Sequence, residues 1–190
     1  MIHILYLAAG QSRRYGSNKL LEIRDGKPLY RHGLDAIRNA MEDRKDCTLR
    51  VITCWQEIEA DLQKEGIRTV FCPDSHLGVS HTIRAGIRDC EPLEEGDYLC
   101  FSVADQPNLT PQSITRLLDT TKQYPTTACL ASGKTSGNPV LFSADLVPEL
   151  LALEGDKGGK SVMKKHPEDH IDISCAPEEL EDIDVRNNTV

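Results

Sequence analysis

The chain predicts an α/β fold of three layers, a mostly parallel sheet with helices on both faces. Three observations carry this. Near-continuous apolar runs of strand length lie at residues 2–8 and 98–104, with further strand-like segments at 48–54 and 67–72, and such apolarity suits strands buried on both faces. Segments with helical spacing of apolar residues lie between them, the pattern of strand–helix–strand crossovers. Caps and breakers mark the joints: Pro28, Gly66 and the pair Thr110-Pro111.

In chain order, the run Ile2 to Ala8 is the first strand. Residues 28–44 read as a helix, with Pro28 in the first turn and Leu29, Leu34, Ile37 and Met41 at helical spacing. Residues 48–54 form a second strand, 56–65 a helix that Gly66 stops, and 67–72 a third strand. Residues 79–89 read as a helix and 98–104 as a fourth strand. Thr110 then caps a helix that opens on Pro111. Shorter strands follow at 126–131 and 140–142, short helices at 143–153 and 157–166, and a last strand at 171–174. No repeat or linker interrupts the 190 residues, which predicts one domain over residues 1–190.

Composition narrows the function. The 39% of hydrophobic residues suits a globular core, and no apolar run reaches the roughly 18 residues of a membrane span. The first residues lack a basic segment and a cleavage pattern, so a cytoplasmic protein is expected. Thirty acidic against 22 basic residues give a net charge of -8, which opposes nucleic acid binding but not a local phosphate site. Such a basic cluster lies between Arg13 and Lys27. The seven cysteines, Cys47, Cys54, Cys72, Cys90, Cys100, Cys129 and Cys175, include no C-x-x-C pair. They read as reduced, mostly buried thiols rather than as a zinc motif.

In parallel sheets ligands sit beyond the carboxyl ends of strands, so the loops after Ala8, Cys72 and Ala104 should carry the chemistry. The loop after Ala8 has the parts a triphosphate needs. Gly10 and Gly16 let backbone N–H groups approach a ligand, and Arg14 and Lys19 add charge. It is not a Walker A loop, because five residues separate Gly10 from Gly16 and Ser17 follows. It is not a dinucleotide fingerprint, because the triplet is Ala8-Ala9-Gly10. It does match L-A-A-G-x-S-x-R-x-G-x-x-K throughout: Leu7, Ala8, Ala9, Gly10, Ser12, Arg14, Gly16 and Lys19.

With that loop the chain resembles the MobA-like NTP transferases, most closely the molybdenum cofactor cytidylyltransferases. The resemblance extends over nearly the whole sequence. Gly26-Lys27-Pro28-Leu29 resembles the G-K-P-L that opens the first helix. Asp74, Gly78 and Ser80 fall in a segment that helps hold base and ribose in relatives, although Ser80 could equally cap a helix. Asp105-Gln106-Pro107 resembles the family's D-Q-P, and a carboxylate at a strand's carboxyl end suits Mg2+. Asp182-Ile183-Asp184 resembles its D-I-D-T, which makes Asp184 the second metal ligand, with Asp182 in reserve. Val185 stands where the family has Thr. Gly137-Asn138-Pro139 and Gly155-Asp156-Lys157-Gly158-Gly159-Lys160 resemble loops on the acceptor side, so Asn138, Gly158 and Lys160 are assigned there. Lys160 replaces the usual Arg.

The resemblance implies nucleotidyl transfer. An acceptor phosphate attacks the α-phosphorus of an NTP, and pyrophosphate leaves. Arg14, Lys19 and Asp105 would be catalytic, with Mg2+ on Asp105 and Asp184. Ala9 implies CTP, since L-A-A-G goes with cytidine enzymes and L-A-G-G with guanosine enzymes. The implied acceptor is a molybdopterin carrying molybdenum, and a molybdoenzyme or its chaperone would receive the product. Two alternatives remain open: a sugar or alcohol phosphate as acceptor, and a non-catalytic nucleotide-binding module.

Overall fold

The computed structural model describes residues 1–11 and 18–183. Ser12, Arg14, Gly16 and Asp184 therefore lie outside the described residues. In chain order the elements are β1 (Ile2–Ala8), β2 (Ile23–Arg24), β3 (Lys27–Pro28), α1 (Leu29–Met41), β4 (Cys47–Thr53), α2 (Gln56–Gln63), β5 (Thr69–Phe71), α3 (Val79–Cys90), β6 (Tyr98–Val103), α4 (Pro111–Asp119), β7 (Thr127–Ser132), β8 (Thr135–Ser143), α5 (Val147–Leu151), α6 (Lys160–Met163) and β9 (His170–Ser174). Seven strands form one sheet in the order β5-β4-β1-β6-β8-β7-β9. β1 runs parallel to β4 and β6, β5 parallel to β4, and β9 parallel to β7. Only β8 runs against its neighbours within this sheet. Among the described residues no helix is long and apolar enough to cross a membrane.

Period-two alternation divides the core between the two faces. Ile2, Ile4, Tyr6 and Ala8 point to one side of β1, with Tyr98 and Cys100 of β6 and Ala128 and Leu130 of β7. There they meet Leu34 and Ile37 of α1, Ile58 and Leu62 of α2 and Leu117 of α4. Leu5, Leu99, Phe101 and Cys129 point to the other side, against Ile83 and Ile87 of α3, Leu150 of α5 and Val162 of α6. A side chain of this size contributes about 1.5–3 kcal/mol when fully buried. Register is therefore fixed, because a slip of one residue would turn every such side chain to the wrong layer.

Local chemistry explains where the expected elements shift. Pro28 is the N-cap of α1, just before the helix rather than inside it. Asp25 and Gly26, with φ of 45° and 84°, turn the hairpin of β2 and β3, and Asp-Gly tolerates that left-handed backbone well. The strand expected at 140–142 extends back to Thr135, because Ser132 pairs with Thr135 across a turn at Gly133, whose φ is 60°. The helix expected at 143–153 divides. Ser143 caps a 3-10 turn over Ala144–Leu146, and α5 follows with Pro148 in its first turn. The helix expected at 157–166 shortens to α6, because residues 155–159 turn to pack on other elements. Thr110 caps α4 as predicted, its side chain accepting from the Ser113 N–H.

The amino ends of the central strands are closed by charge. The Met1 ammonium lies 2.7 Å from Asp97, the His3 ring 3.3 Å from it, and the Glu94 N–H donates to it. Burial alone would raise the Asp97 pKa, but the ammonium, the Glu94 N–H and His3 together hold it below the usual carboxylate value. The opposite, carboxyl ends of the strands open into a cleft.

Candidate functional site

The cleft begins where β1 ends. Leu7, Ala9, Gly10 and Gln11 form one wall, and Val103, Ala104 and Asp105 after β6 form the floor. The first strand and its partner run in register, Leu7 opposite Val103, which brings the two loops side by side. Lys19 follows Asn18, whose side chain accepts from the Leu20 N–H and starts a 3-10 turn over Lys19–Leu21. That turn sends the lysine inward. Lys19 is 8% exposed, and its Nζ lies 2.8 Å from Asp105 Oδ2 and 2.8 Å from the Ile183 carbonyl. Asp105 keeps 24% of its side chain exposed, and among the described residues its Oδ1 makes no hydrogen bond. Beneath it lies Tyr6, whose hydroxyl donates to the Tyr30 carbonyl. Burial, then the Asp105 charge, pushes the Tyr6 pKa well up, so the phenol stays neutral.

The loop after β6 is stapled to the chain's distant end. Gln106 donates to the Leu180 carbonyl, Asn108 to the Glu178 carbonyl, and the Ile183 N–H to the Asp105 carbonyl. Glu179 anchors the staple. It is 5% exposed and accepts from the Thr110 N–H and hydroxyl, the Ser113 hydroxyl and the Ala176 N–H. Four donors around one buried carboxylate make a strong joint, since bonds to a charged group contribute about 1.5–3 kcal/mol each. The D-Q-P segment and Ile183, far apart in sequence, are thereby neighbours. Asp182 is exposed, and Asp184 lies outside the described residues.

The segment from Asp74 to Ser80 is placed differently from expectation. Gly78, not Ser80, is the N-cap of α3. Ser80 is fully buried in the first turn, its N–H bonded to the Gly155 carbonyl and its hydroxyl near Arg84. Gly78 has φ of 124°, and a Cβ there would lie 2.3 Å from the Gly155 carbonyl carbon. Both residues thus serve the docking of the 155–159 loop onto α3. They do not line the cleft, nor does the exposed Asp74. Ala8 is also sealed from it, fully buried, its carbonyl accepting from the Thr53 hydroxyl.

The docking of Gly155 instead brings Asp156 to the cleft, beside Ser75, His76 and Val79. Gln11 faces the same space, its amide donating to Ser75 Oγ at 3.1 Å and to the Cys54 thiol at 3.4 Å. Sequence reasoning passed over Gln11, His76 and Asp156 as cleft residues. Gln11 occupied an unassigned position of the first loop, and Asp156 lay in a segment assigned to the other side.

The acceptor-side residues do come together. Asn138, Gly158 and Lys160 line a second cleft with Ser136, Val140, Phe142 and Met163. A β-bulge explains Asn138. Cys129 pairs with Val140 but the next residue, Leu130, pairs with Gly137, so Asn138 and Pro139 are extra. Gly159 lets α6 approach Phe142, since a Cβ there would lie 2.7 Å from the ring. Lys160 Nζ donates to the Ser136 carbonyl at 3.3 Å across the mouth.

The two clefts hold about 320 and 150 Å³. The first reaches the usual size for a ligand pocket and the second does not. They share Leu7, Val79 and Val103, so the second is an annex of the first. The two spaces therefore adjoin at Leu7.

Known proteins share this fold. A profile of the MobA-like NTP transferase domain matches residues 4–171. Purine catabolism protein PucB of Bacillus subtilis (strain 168) is 26% identical over 171 residues, covering 84% of this chain and 79% of its own length. A nucleotidyl transferase from Methanothermobacter thermautotroptrophicus superposes with a TM-score of 0.78 at 21% identity, over 97% of this chain and 92% of the other. The Rv0371c protein of Mycobacterium tuberculosis H37Rv, in its complex with manganese, superposes at 0.71 and 21% identity, over 92% and 89%. The two structures share the fold, and the profile spans most of the sequence. The chain belongs to the MobA-like NTP transferase family and is a nucleotidyltransferase.

Proposed function

We propose that the chain transfers CMP from CTP to a molybdopterin-type acceptor carrying molybdenum, with release of pyrophosphate. The observation that carries the reading is the pair of adjoining clefts, one ending on Lys19 and Asp105 and the other on Asn138 and Lys160. The nucleotide would lie along Ala9, Gly10 and Gln11, and the acceptor between Asn138, Gly158 and Lys160. Ala9 supports CTP, because its pattern is that of cytidine enzymes in the family.

The residues fit a hard divalent ion. Asp105 offers an oxygen donor at Oδ1 while Lys19 holds Oδ2. Asp105, with Asp184, would hold Mg2+, which when bound supplies positive charge against the α-phosphate. Lys19 and Arg14 would hold the β- and γ-phosphates and steady the leaving pyrophosphate. Lys160 would orient the acceptor phosphate. Its oxygen forms a bond to the α-phosphorus as the bond to the bridging β-oxygen breaks. The attacking phosphate is already anionic, so no general base is needed, and positioning does most of the work.

A pyrophosphate-release assay with CTP, GTP, ATP and UTP, each with Mg2+ and a molybdopterin, a sugar phosphate or an alcohol phosphate, tests this. Turnover with CTP and the pterin alone is the expected result. Turnover with GTP alone overturns the nucleotide assignment. Turnover with the other phosphates alone overturns the acceptor, and release with none overturns catalysis in favour of a binding module.

A further inference from the structure

Far from the cleft floor, the edge strand β9 carries His170 and Asp172 two residues apart, on one face. β9 pairs in parallel with β7, Thr127 opposite His170 and Cys129 opposite Asp172. The result is a compact group: Cys129 Sγ lies 3.6 Å from His170 Nε2 and 3.3 Å from Asp172 Oδ1, and Nε2 lies 3.1 Å from Oδ1. These separations can be compared with a known geometry. A tetrahedral zinc with Zn–S near 2.3 Å and Zn–N or Zn–O near 2.0–2.1 Å has S···N and S···O edges of about 3.6 Å and an N···O edge of about 3.3 Å. All three observed distances lie within about 0.3 Å of those edges, a difference a bound ion would take up by small side-chain rotations.

A second observation concerns orientation. Thr127 Oγ1 lies 2.8 Å from His170 Nδ1. This fixes the ring with Nε2 toward the sulfur and the carboxylate, the partner that metal-binding histidines ordinarily have on their other nitrogen. We propose that Cys129, His170 and Asp172 form a binding site for a zinc-class divalent cation, distinct from the nucleotide's Mg2+. The donor set selects the ion. Thiolate and imidazole favour zinc over magnesium, which requires oxygen. Three protein ligands leave a fourth position for water, which the half-open setting permits, Asp172 being 59% exposed and Cys129 buried.

Without an ion the Cys129 thiol donates to Asp172 Oδ1 at 3.3 Å. On binding, the S–H bond breaks, an S–metal bond forms and one proton passes to solvent. The thiolate and carboxylate then neutralise the dication.

The test is titration of chelator-treated full-length protein with Co2+, followed by displacement with Zn2+. One equivalent should bind with a thiolate-to-cobalt charge-transfer band, resistant to excess Mg2+. Cys129→Ser should abolish the band. Asp172→Asn, an exposed change that spares the fold by circular dichroism, should weaken uptake at least tenfold. Absence of the band, its persistence in Cys129→Ser, or unchanged affinity in Asp172→Asn overturns the site. The readout involves no nucleotide, so it stands or falls apart from the catalytic proposal.

Discussion

On the side of β1 and β6 the cleft wall is largely main chain, small side chains and paired charge: Ala9, Gly10, and Lys19 against Asp105. On the side of β8 and α6 it is largely apolar: Val140, Phe142 and Met163, with Asn138 and Lys160 at its mouth. The first is suited to a highly charged ligand common to many enzymes, held by backbone and by fixed charge. The second, smaller and lined mainly by apolar side chains, is suited to part of a ligand selected by shape. A phosphate-binding half demands particular residues at particular spacings, whereas a shape-selective half can be built from many sequences.

The largest expected effect lies in the charged half. Asp105→Ala should lower pyrophosphate release roughly 1,000-fold with an unchanged circular dichroism spectrum. Activity near that of the parent would mean that Asp105 serves only to hold Lys19. Glu179→Ala removes the joint that brings residues 178–183 to the D-Q-P loop. It should cost about 3 kcal/mol in urea denaturation, and nucleotide affinity should fall with stability if that joint shapes the charged half. The glycines sharpen the contrast further. Gly78→Ala should cost roughly 1–3 kcal/mol from its left-handed backbone alone, whereas Gly158→Ala should be nearly neutral in stability, its added Cβ meeting Val79 at 3.9 Å.

A smaller effect belongs to the apolar half. Lys160→Ala should reduce kcat/KM for the acceptor roughly tenfold and leave the nucleotide KM unchanged. Equal loss for both substrates would erase the division of labour. The smallest effect lies outside both halves, at Asp97. Its folded pKa is depressed, so its stabilisation is complete above about pH 4, the unfolded value, and is lost as pH falls through the lower folded value. Asp97→Asn should therefore destabilise the protein at pH 7 and approach the parent near pH 2, in thermal denaturation across pH.

Legibility in the sequence follows the same division. β1 and β6 are almost wholly apolar and β4 is rich in β-branched residues, and the ends of all three fall within one residue of expectation. Of the first loop, Ala9, Gly10 and Lys19 fall at the cleft, while Ser12, Arg14 and Gly16 lie outside the described residues. Ser80 lies buried in the first turn of α3, whose cap is Gly78, packed against Gly155, and no local pattern separates these two positions. Asp156 reaches the nucleotide side through that same docking, which no local pattern announces. The helix expected at 157–166 narrows to Lys160–Met163, with Gly159 just before it in close approach to Phe142. Cys129 and Asp172 meet only through strand pairing across 43 residues, so spacing rules for metal motifs had nothing to register.

Leu7, Val79 and Val103 belong to both clefts at once. An inherited change at any of them alters two specificities in a single step. A lineage exploring new acceptors would more readily vary Phe142, Val140 or Met163, which touch one cleft only. Natural diversity in relatives should concentrate there, with the three shared positions confined to a narrow range of aliphatic sizes.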